Sequence, residues 1–190
     1  MAETVLHRRA ALDGVRHGAF GPGGADGPGV TLAALPEGTV LHVLGTRAAV
    51  PAEIAALMAA EELDLRDAAP SQWFAVGDRP LPAGRLAALN AALAGRALAI
   101  DQSHGRVRIA LGGRAVRRTL AKGTALDLDP VAFATGASAT TLVGHLTVHL
   151  TRVADERFEL MVLRGFAANL FEDLCGMARE FGLVATGAEG

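Results

Sequence analysis

The amino-acid sequence predicts an α+β fold in which two related β-α-β-α lobes lie on mainly antiparallel sheets. From Val30 onwards, short segments with the two-residue alternation of strands take turns with segments of helical spacing. The segments 44–50 (LGTRAAV) and 111–116 (LGGRAV) are similar, and each ends a predicted strand and begins a helix. A strand and an amphipathic helix follow both of them, so we interpret the chain as a duplicated unit with an insertion around 124–141 in its second copy.

Domain boundaries follow from the repeat and from composition. Residues 18–29 contain six glycines and two prolines in twelve positions, which is too much backbone freedom for a regular element. We therefore expect residues 1–29 to form a flexible arm. The expected domain covers 30–185, with halves at about 30–100 and 101–185, and a tail covers 186–190.

The first half is predicted to contain three strands and two helices. Each helix begins with a proline, Pro51 or Pro82, which is favoured in the first helical turn. Leu86, Leu89 and Leu93 share one side of the second helix. The strands are predicted at 40–44, 73–76 and 97–100.

The second half begins with a strictly alternating segment at 106–111. Its alternation predicts a strand with Val107, Ile109 and Leu111 in a core. The arginines between them, Arg106 and Arg108, are expected to face outwards.

The rest of the second half is predicted to be a short helix, a hairpin and a long helix. Gly112 and Gly113 end the alternating strand in a tight turn before the short helix. Strands at 142–151 and 158–163 form the hairpin. The last helix covers about 165 to 181, and its apolar stripe consists of Phe166, Leu170, Leu174, Met177 and Phe181.

Composition narrows the classes of function. The single cysteine, Cys175, cannot form an internal disulfide, which favours a reducing, cytoplasmic setting. No apolar run approaches the thickness of a bilayer, so we expect no membrane span and no export. The net charge of −2, the absence of Tyr and the single Trp indicate that nucleic acid is not a partner.

Two groups of residues resemble catalytic or metal-binding motifs. Asp101, Ser103 and His104 are too close in sequence to act as a catalytic triad. We interpret the Asp and Ser side chains as hydrogen-bonding partners within a turn between two strands, and His104 as a packed or capped histidine. His145 and His149 lie about 14 Å apart on an extended strand, too far for one metal ion, and a polar face is the better interpretation. We expect no metal site and no catalytic residue in this chain.

Charge placement is the most unusual feature of the sequence. No acidic residue lies between Asp101 and Asp127, whereas this segment contains Arg106, Arg108, Arg114, Arg117, Arg118 and Lys122. These charges are expected either to converge on an acidic partner or an anionic ligand, or to be ordinary solvated surface.

The order of several short segments resembles the gamma subunit family of heterotetrameric sarcosine oxidase, which is related to the folate-binding domain of glycine-cleavage aminomethyltransferases. The match covers roughly Val30 to Leu183. The segments that carry it are 70–73 (PSQW), 101–104 (DQSH), 120–123 (LAKG), 126–128 (LDL) and 158–167 (FELMVLRGFA), together with Phe133, Thr140, Thr141, Leu142 and Gly144.

The resemblance implies a non-catalytic subunit of an enzyme that demethylates sarcosine, or another N-methylated amine, with tetrahydrofolate as one-carbon acceptor. It implies alpha, beta and delta partner subunits, which hold FAD, FMN, NAD and tetrahydrofolate, and no cofactor in this chain. Two alternatives are a free-standing tetrahydrofolate-dependent one-carbon transferase and an interaction module of another N-methylamine-oxidising complex. The residues that we expect at the subunit interface are Arg106, Arg108, Arg114, Arg117, Arg118, Arg164 and Phe166.

Overall fold

The computed structural model describes residues 10–22 and 27–187. Its strands are, in chain order, β1 (Gly18–Phe20), β2 (Val30–Ala34), β3 (Thr39–Gly45), β4 (Asp64–Ala69), β5 (Gln72–Gly77), β6 (Ala97–Asp101), β7 (Arg106–Gly112), β8 (Ser138–Val143), β9 (Leu146–Ala154), β10 (Arg157–Leu163) and β11 (Leu183–Thr186). Its α-helices are α1 (Pro51–Ala59), α2 (Arg85–Ala92), α3 (Val116–Leu120) and α4 (Ala167–Ala178). None of the described helices is long and apolar enough to cross a membrane.

The larger sheet has seven strands in the order β1-β11-β2-β7-β10-β9-β8. All neighbouring strands are antiparallel except β11 and β2. Its inner face packs on α4, where Leu170, Phe171 and Leu174 are almost completely buried against β-strand residues such as Ile109 and Leu160. This cluster is the main hydrophobic core.

The smaller sheet has four antiparallel strands in the order β4-β5-β3-β6. Helices α1 and α2 cover one of its faces, and Ile54, Met58 and Leu89 fill the space between with Leu41 and Val43. The other face is turned towards the larger sheet, which it meets through Val40, Phe74, Val76 and Met161.

The two sheets share a connectivity. In each, a strand leads through a helix to an antiparallel hairpin whose second strand pairs with the first strand, as β5 does with β3 and β10 does with β7. A second helix and a further strand follow in both cases. The predicted α+β class with two related, mainly antiparallel lobes is thus confirmed, although β2 precedes the smaller sheet in sequence and lies in the larger one.

The prediction of a flexible arm at 1–29 is wrong for residues 10–22. Gly18–Phe20 pairs with Leu183–Ala185, and Leu12 and Val15 are buried in the main core. An unpaired strand edge at β11 provides hydrogen-bond partners that composition alone does not reveal. Residues 1–9 and 23–26 lie outside the described residues, as do 188–190 of the predicted tail.

Several predicted elements also have different bounds. The strand predicted at 142–151 is instead a hairpin of β8 and β9, because Gly144 has a positive φ of 60° and reverses the chain. The helix predicted from Pro82 begins at Arg85, after Gly84 in the left-handed region. The last helix is α4 with a 3₁₀ turn at each end, and Phe166 in the first of these turns is 50% exposed rather than part of the core stripe.

Candidate functional site at the junction of the two sheets

Three buried charged side chains lie where the sheets face each other. Arg66 comes from β4, and Arg108 and Glu159 come from β7 and β10. Arg66 Nη1 donates to Glu159 Oε1 at 2.7 Å and its Nη2 donates to Oε2 at 3.2 Å. Arg108 Nη1 lies 3.4 Å from the same Oε1, and Arg108 Nη2 donates to Asp78 Oδ1 at 2.6 Å. The bidentate pair therefore joins the smaller sheet to the larger one.

The environment of Arg66 favours the charged form of its guanidinium. Burial by itself lowers the pKa of the Arg66 guanidinium, but the hydrogen bonds and charge of Glu159, and then those of Asp64, outweigh it and the pKa lies above its ordinary value. Both Glu159 oxygens accept from guanidinium groups. Glu159 is thus placed as a counter-ion, with three hydrogen bonds from the two guanidinium groups to its carboxylate.

The prediction that Arg108 faces outwards is wrong. The alternation at 106–111 is present, but β7 lies in the middle of the larger sheet, and the smaller sheet covers the face that carries Arg108. Arg108 is only 5% exposed. In a strand that is covered on both faces, a charged side chain is tolerated only where it pairs with a buried group of opposite charge. For Arg108 this group is Glu159.

His149 is a second link between the sheets. Its imidazole is 2% exposed, and Nε2 lies 2.8 Å from the Asp67 carbonyl oxygen, an acceptor, so Nε2 carries the proton. Burial lowers the pKa of His149, and the nearby positive charges of Arg66 and Arg106 lower it further, against the opposing effects of the Asp67 hydrogen bond and Glu159. The ring is therefore neutral at physiological pH.

The interpretation of His145 and His149 as one polar face is wrong. His145 lies in the turn between β8 and β9, whereas His149 is buried on β9. Within the described part of the chain, no group of three or more His, Cys, Asp or Glu side chains could hold a metal ion.

Phe74 is the aromatic centre of the junction. Its ring contacts His42 at a centroid distance of 4.9 Å and the edge of His149 at 5.0 Å. The guanidinium carbon of Arg106 lies 4.5 Å from the Phe74 centroid, and Arg106 Nε donates to Gln102 Oε1 at 2.6 Å. Burial lowers the pKa of Arg106, which therefore presents a partly desolvated positive charge.

The turn at 101–104 is confirmed as a structural feature for Asp101 and Ser103. Asp101 Oδ1 accepts from Ser103 N at 2.8 Å and from Ser103 Oγ at 2.5 Å. Ser103 Oγ in turn accepts from Val40 N at 3.0 Å, so this hydroxyl ties the turn to β3. His104 is exposed, which contradicts its packing in a core, whereas its alternative role in a cap stays a prediction.

The structure does not bring the whole basic segment together. Arg106 and Arg108 are at the junction, whereas Arg114 and the α3 arginines follow the opposite end of β7, about 20 Å away. The residues at that end have partners within the chain: Arg117 Nη1 lies 3.7 Å from Asp155 Oδ1, Lys122 Nζ lies 2.8 Å from Glu180 Oε1, Arg114 donates to the Gly27 carbonyl, and Arg118 lies over the Phe181 ring.

The remaining two predicted interface residues lie together after β10. Arg164 Nη1 donates to Glu37 Oε1 at 2.7 Å, and Phe166 is two residues further along the same 3₁₀ turn. Their contact with a partner subunit stays a prediction, as it does for the arginines.

Cys175 and the glycine pair do not add chemistry to the junction. Burial, and then Glu172, raise the pKa of the Cys175 thiol to about 11, so it is protonated at neutral pH. Gly113 has a φ of 109°, and a Cβ there would lie 2.6 Å from the Gly29 carbonyl oxygen. The glycine pair thus serves a tight turn, as predicted.

Arg66, Phe74 and Glu159 are among the residues of the junction that were not predicted from the sequence. Glu159 had a usable signal, because it is the lone acidic residue in the apolar segment 158–163. Arg66 had none, since β4 (DLRDAA) is too polar to be recognised as a strand.

A protein-family model matches most of this chain. The family model described as "Sarcosine oxidase, gamma subunit family" matches residues 34–178. No curated protein matches the chain.

Several solved structures share the fold, among them the following two. A chain of heterotetrameric sarcosine oxidase from Corynebacterium sp. U-96, solved in complex with pyrrole 2-carboxylate, superimposes with a TM-score of 0.69 at 21% identity, over 80% of this chain and 85% of that one. The glycine cleavage system aminomethyltransferase T from Bartonella henselae superimposes with a TM-score of 0.61 at 18% identity. That match covers 84% of this chain but only 48% of the aminomethyltransferase, about half its length.

Proposed function

We propose, from the premise that this chain belongs to the sarcosine oxidase gamma subunit family, that it is the gamma subunit of a heterotetrameric, cytoplasmic oxidase of N-methyl amino acids. Sarcosine is the substrate that we propose, with glycine as product and tetrahydrofolate as acceptor of the one-carbon unit. The chain contributes structure and interface to this assembly, and alpha, beta and delta subunits contribute the catalytic centre.

The family match over 34–178 is the observation that carries this proposal. The junction supports it, because Arg66 and Arg108 are ion-paired with Glu159 and the rings of Phe74 and His149 are packed on each other. Side chains that are paired with one another in this way stabilise the junction, and they are not free to bind a substrate.

Cofactor binding is proposed for the partner subunits. The oxidation of an N-methyl amine needs a two-electron acceptor such as a flavin. The candidate phosphate-binding turn of this chain, at Gly112 and Gly113, lacks the glycine spacing of a dinucleotide-binding loop. We assign FAD, FMN, NAD and tetrahydrofolate to those other chains.

The reaction of the purified assembly tests the proposed function. Oxygen consumption is measured with sarcosine, N,N-dimethylglycine and glycine, each with and without tetrahydrofolate. We expect oxidation of sarcosine to glycine, and replacement of free formaldehyde by methylenetetrahydrofolate when the folate is present. If the assembly oxidises none of the N-methylated amines, the proposal is contradicted. If the chain alone transfers a one-carbon unit, the free-standing transferase is favoured.

A further inference from the structure

Several exposed aliphatic side chains lie beside the junction. Leu98 and Ile100 on β6 are 52% and 41% exposed. Ile100 pairs with His42, and His42 pairs with Phe74, so Ile100 lies on the face of the smaller sheet that is turned towards the larger one. That face extends beyond the area that the larger sheet covers.

The larger sheet continues the same surface. Leu163 is 50% exposed and pairs with Arg106, whose guanidinium lies over Phe74. Leu142 is 54% exposed and pairs with Thr147, two residues before His149 on the same face of β9. We refer to His42, Leu98, Ile100, Arg106, Leu142 and Leu163 as the cleft surface.

A partner cannot reach this surface by adding a strand at β6. The Asn90 side chain covers the free backbone groups of Ala99, accepting from its N–H at 2.7 Å and donating to its carbonyl oxygen at 3.0 Å. Edge protection of this kind prevents sheet extension. An occupant must therefore contact the side chains of the cleft surface.

The charge of Arg106 indicates the chemistry of the occupant. Other buried or half-buried arginines have a carboxylate within the chain, as Arg66 has Glu159 and Arg152 has Asp155. Among the described residues, Arg106 has only a neutral partner, Gln102, and the Phe74 ring. A partly desolvated guanidinium without a counter-ion favours a carboxylate from outside the chain.

We propose that the cleft surface is the docking site for a partner subunit, which places aliphatic or aromatic side chains on the leucines and isoleucine and an Asp or Glu on Arg106. Apolar anchors around a single arginine are typical of the energetic centre of an interface. This inference rests on the proposed function, because it assumes that partner subunits exist.

Binding of the full-length chain to an assembly of the other subunits tests the inference. The variants are Ile100→Asp and Arg106→Gln, and both side chains are at least partly exposed, so thermal unfolding of the free variants should match the unchanged chain. The matched controls are Val131→Asp, at an aliphatic residue that is 93% exposed elsewhere, and Arg96→Gln, at a partly exposed arginine whose Nη1 lies 2.7 Å from Glu53 Oε2. We expect each cleft variant to raise Kd by about tenfold or more and each control to leave it within about twofold.

The outcomes separate this inference from the proposed function. If the unchanged chain does not bind the other subunits, the proposed function fails and the inference fails with it. If it binds and the cleft variants bind equally well, the inference alone is overturned. The inference would also be overturned if the free unchanged chain self-associates and the Ile100→Asp chain does not. The occupant of the cleft surface would then be a second copy of this chain. Hydrogen exchange in the assembly gives an independent measurement, and we expect protection of residues 97–106.

Discussion

Glu159 carries the electrostatic link between the two sheets. It accepts from Arg66 and Arg108, and all three side chains are buried. A buried charge that loses its partner costs about 3–5 kcal/mol. We therefore expect Glu159→Gln to lower the free energy of unfolding, measured by urea denaturation, by about that amount.

The control for this prediction is Asp64→Asn. Asp64 also pairs with Arg66 but is 67% exposed, and an exposed ion pair contributes only about 0–1 kcal/mol. Equal losses for the two variants would show that burial of the cluster has no energetic role.

His149 should make stability depend on pH. Its pKa is lowered in the folded chain, so below the ordinary histidine pKa of about 6.5 the unfolded chain binds a proton that the folded chain does not. The contribution of His149 to the free energy of unfolding is then fully present above about pH 6.5. It falls as the pH is lowered from there towards the folded-state pKa.

Urea unfolding at pH 7.5 and pH 5.5 measures this effect. We expect His149→Gln, which retains a donor for the Asp67 carbonyl, to lose part of the difference between the two pH values. His104→Gln is the control, because His104 is exposed. A His149→Gln chain with an unchanged pH dependence would contradict the assignment.

Contacts between single residues could be predicted only where the two partners lie close together in the sequence. The turn at Asp101 and Ser103 was predictable because its partners are two residues apart. Glu159 and Arg66 are 93 residues apart, and only the packing of one sheet on the other brings them together.

Among the elements, β1 and the segment before it show how tertiary contacts order a glycine-rich region. Leu12 is 5% exposed in the main core, and β1 pairs with the last strand. Leu→Ala substitutions in cores cost about 2–5 kcal/mol. We expect Leu12→Ala to lower the free energy of unfolding by an amount in that range and Arg16→Ala, at an exposed neighbour, to change it by less than about 0.5 kcal/mol. If Leu12→Ala unfolds like the unchanged chain, this segment does not contribute to the core.

The elements that could be predicted are those with a clear apolar period. Strand β7 and the middle of α4, with Leu170 and Leu174, follow their expected spacing. Strand β4 could not be predicted, because its stability comes from pairing with β5 and from the Arg66 ion pair rather than from its own hydrophobicity.

At the scale of the whole molecule, the chain combines an ion-paired cluster between its two sheets with exposed apolar residues beside it. The cluster around Glu159 and the ring of Phe74 stabilise the contact between the sheets. The cleft surface beside it leaves Ile100, Leu163 and a half-buried Arg106 accessible. The structural role that we propose needs both features, since the chain must be stable itself and must remain attached to its partners.

We propose that this chain is a non-catalytic member of an oxidase assembly. The most direct measurement is affinity purification of the tagged chain from its own host, with the composition of the eluate determined by mass spectrometry and its visible spectrum recorded. We expect the chain to co-purify with the other oxidase subunits. Flavin absorbance should remain with those subunits when this chain is dissociated and recovered colourless. A chain that elutes without those subunits, or that retains stoichiometric flavin after it is separated from them, would contradict the claim.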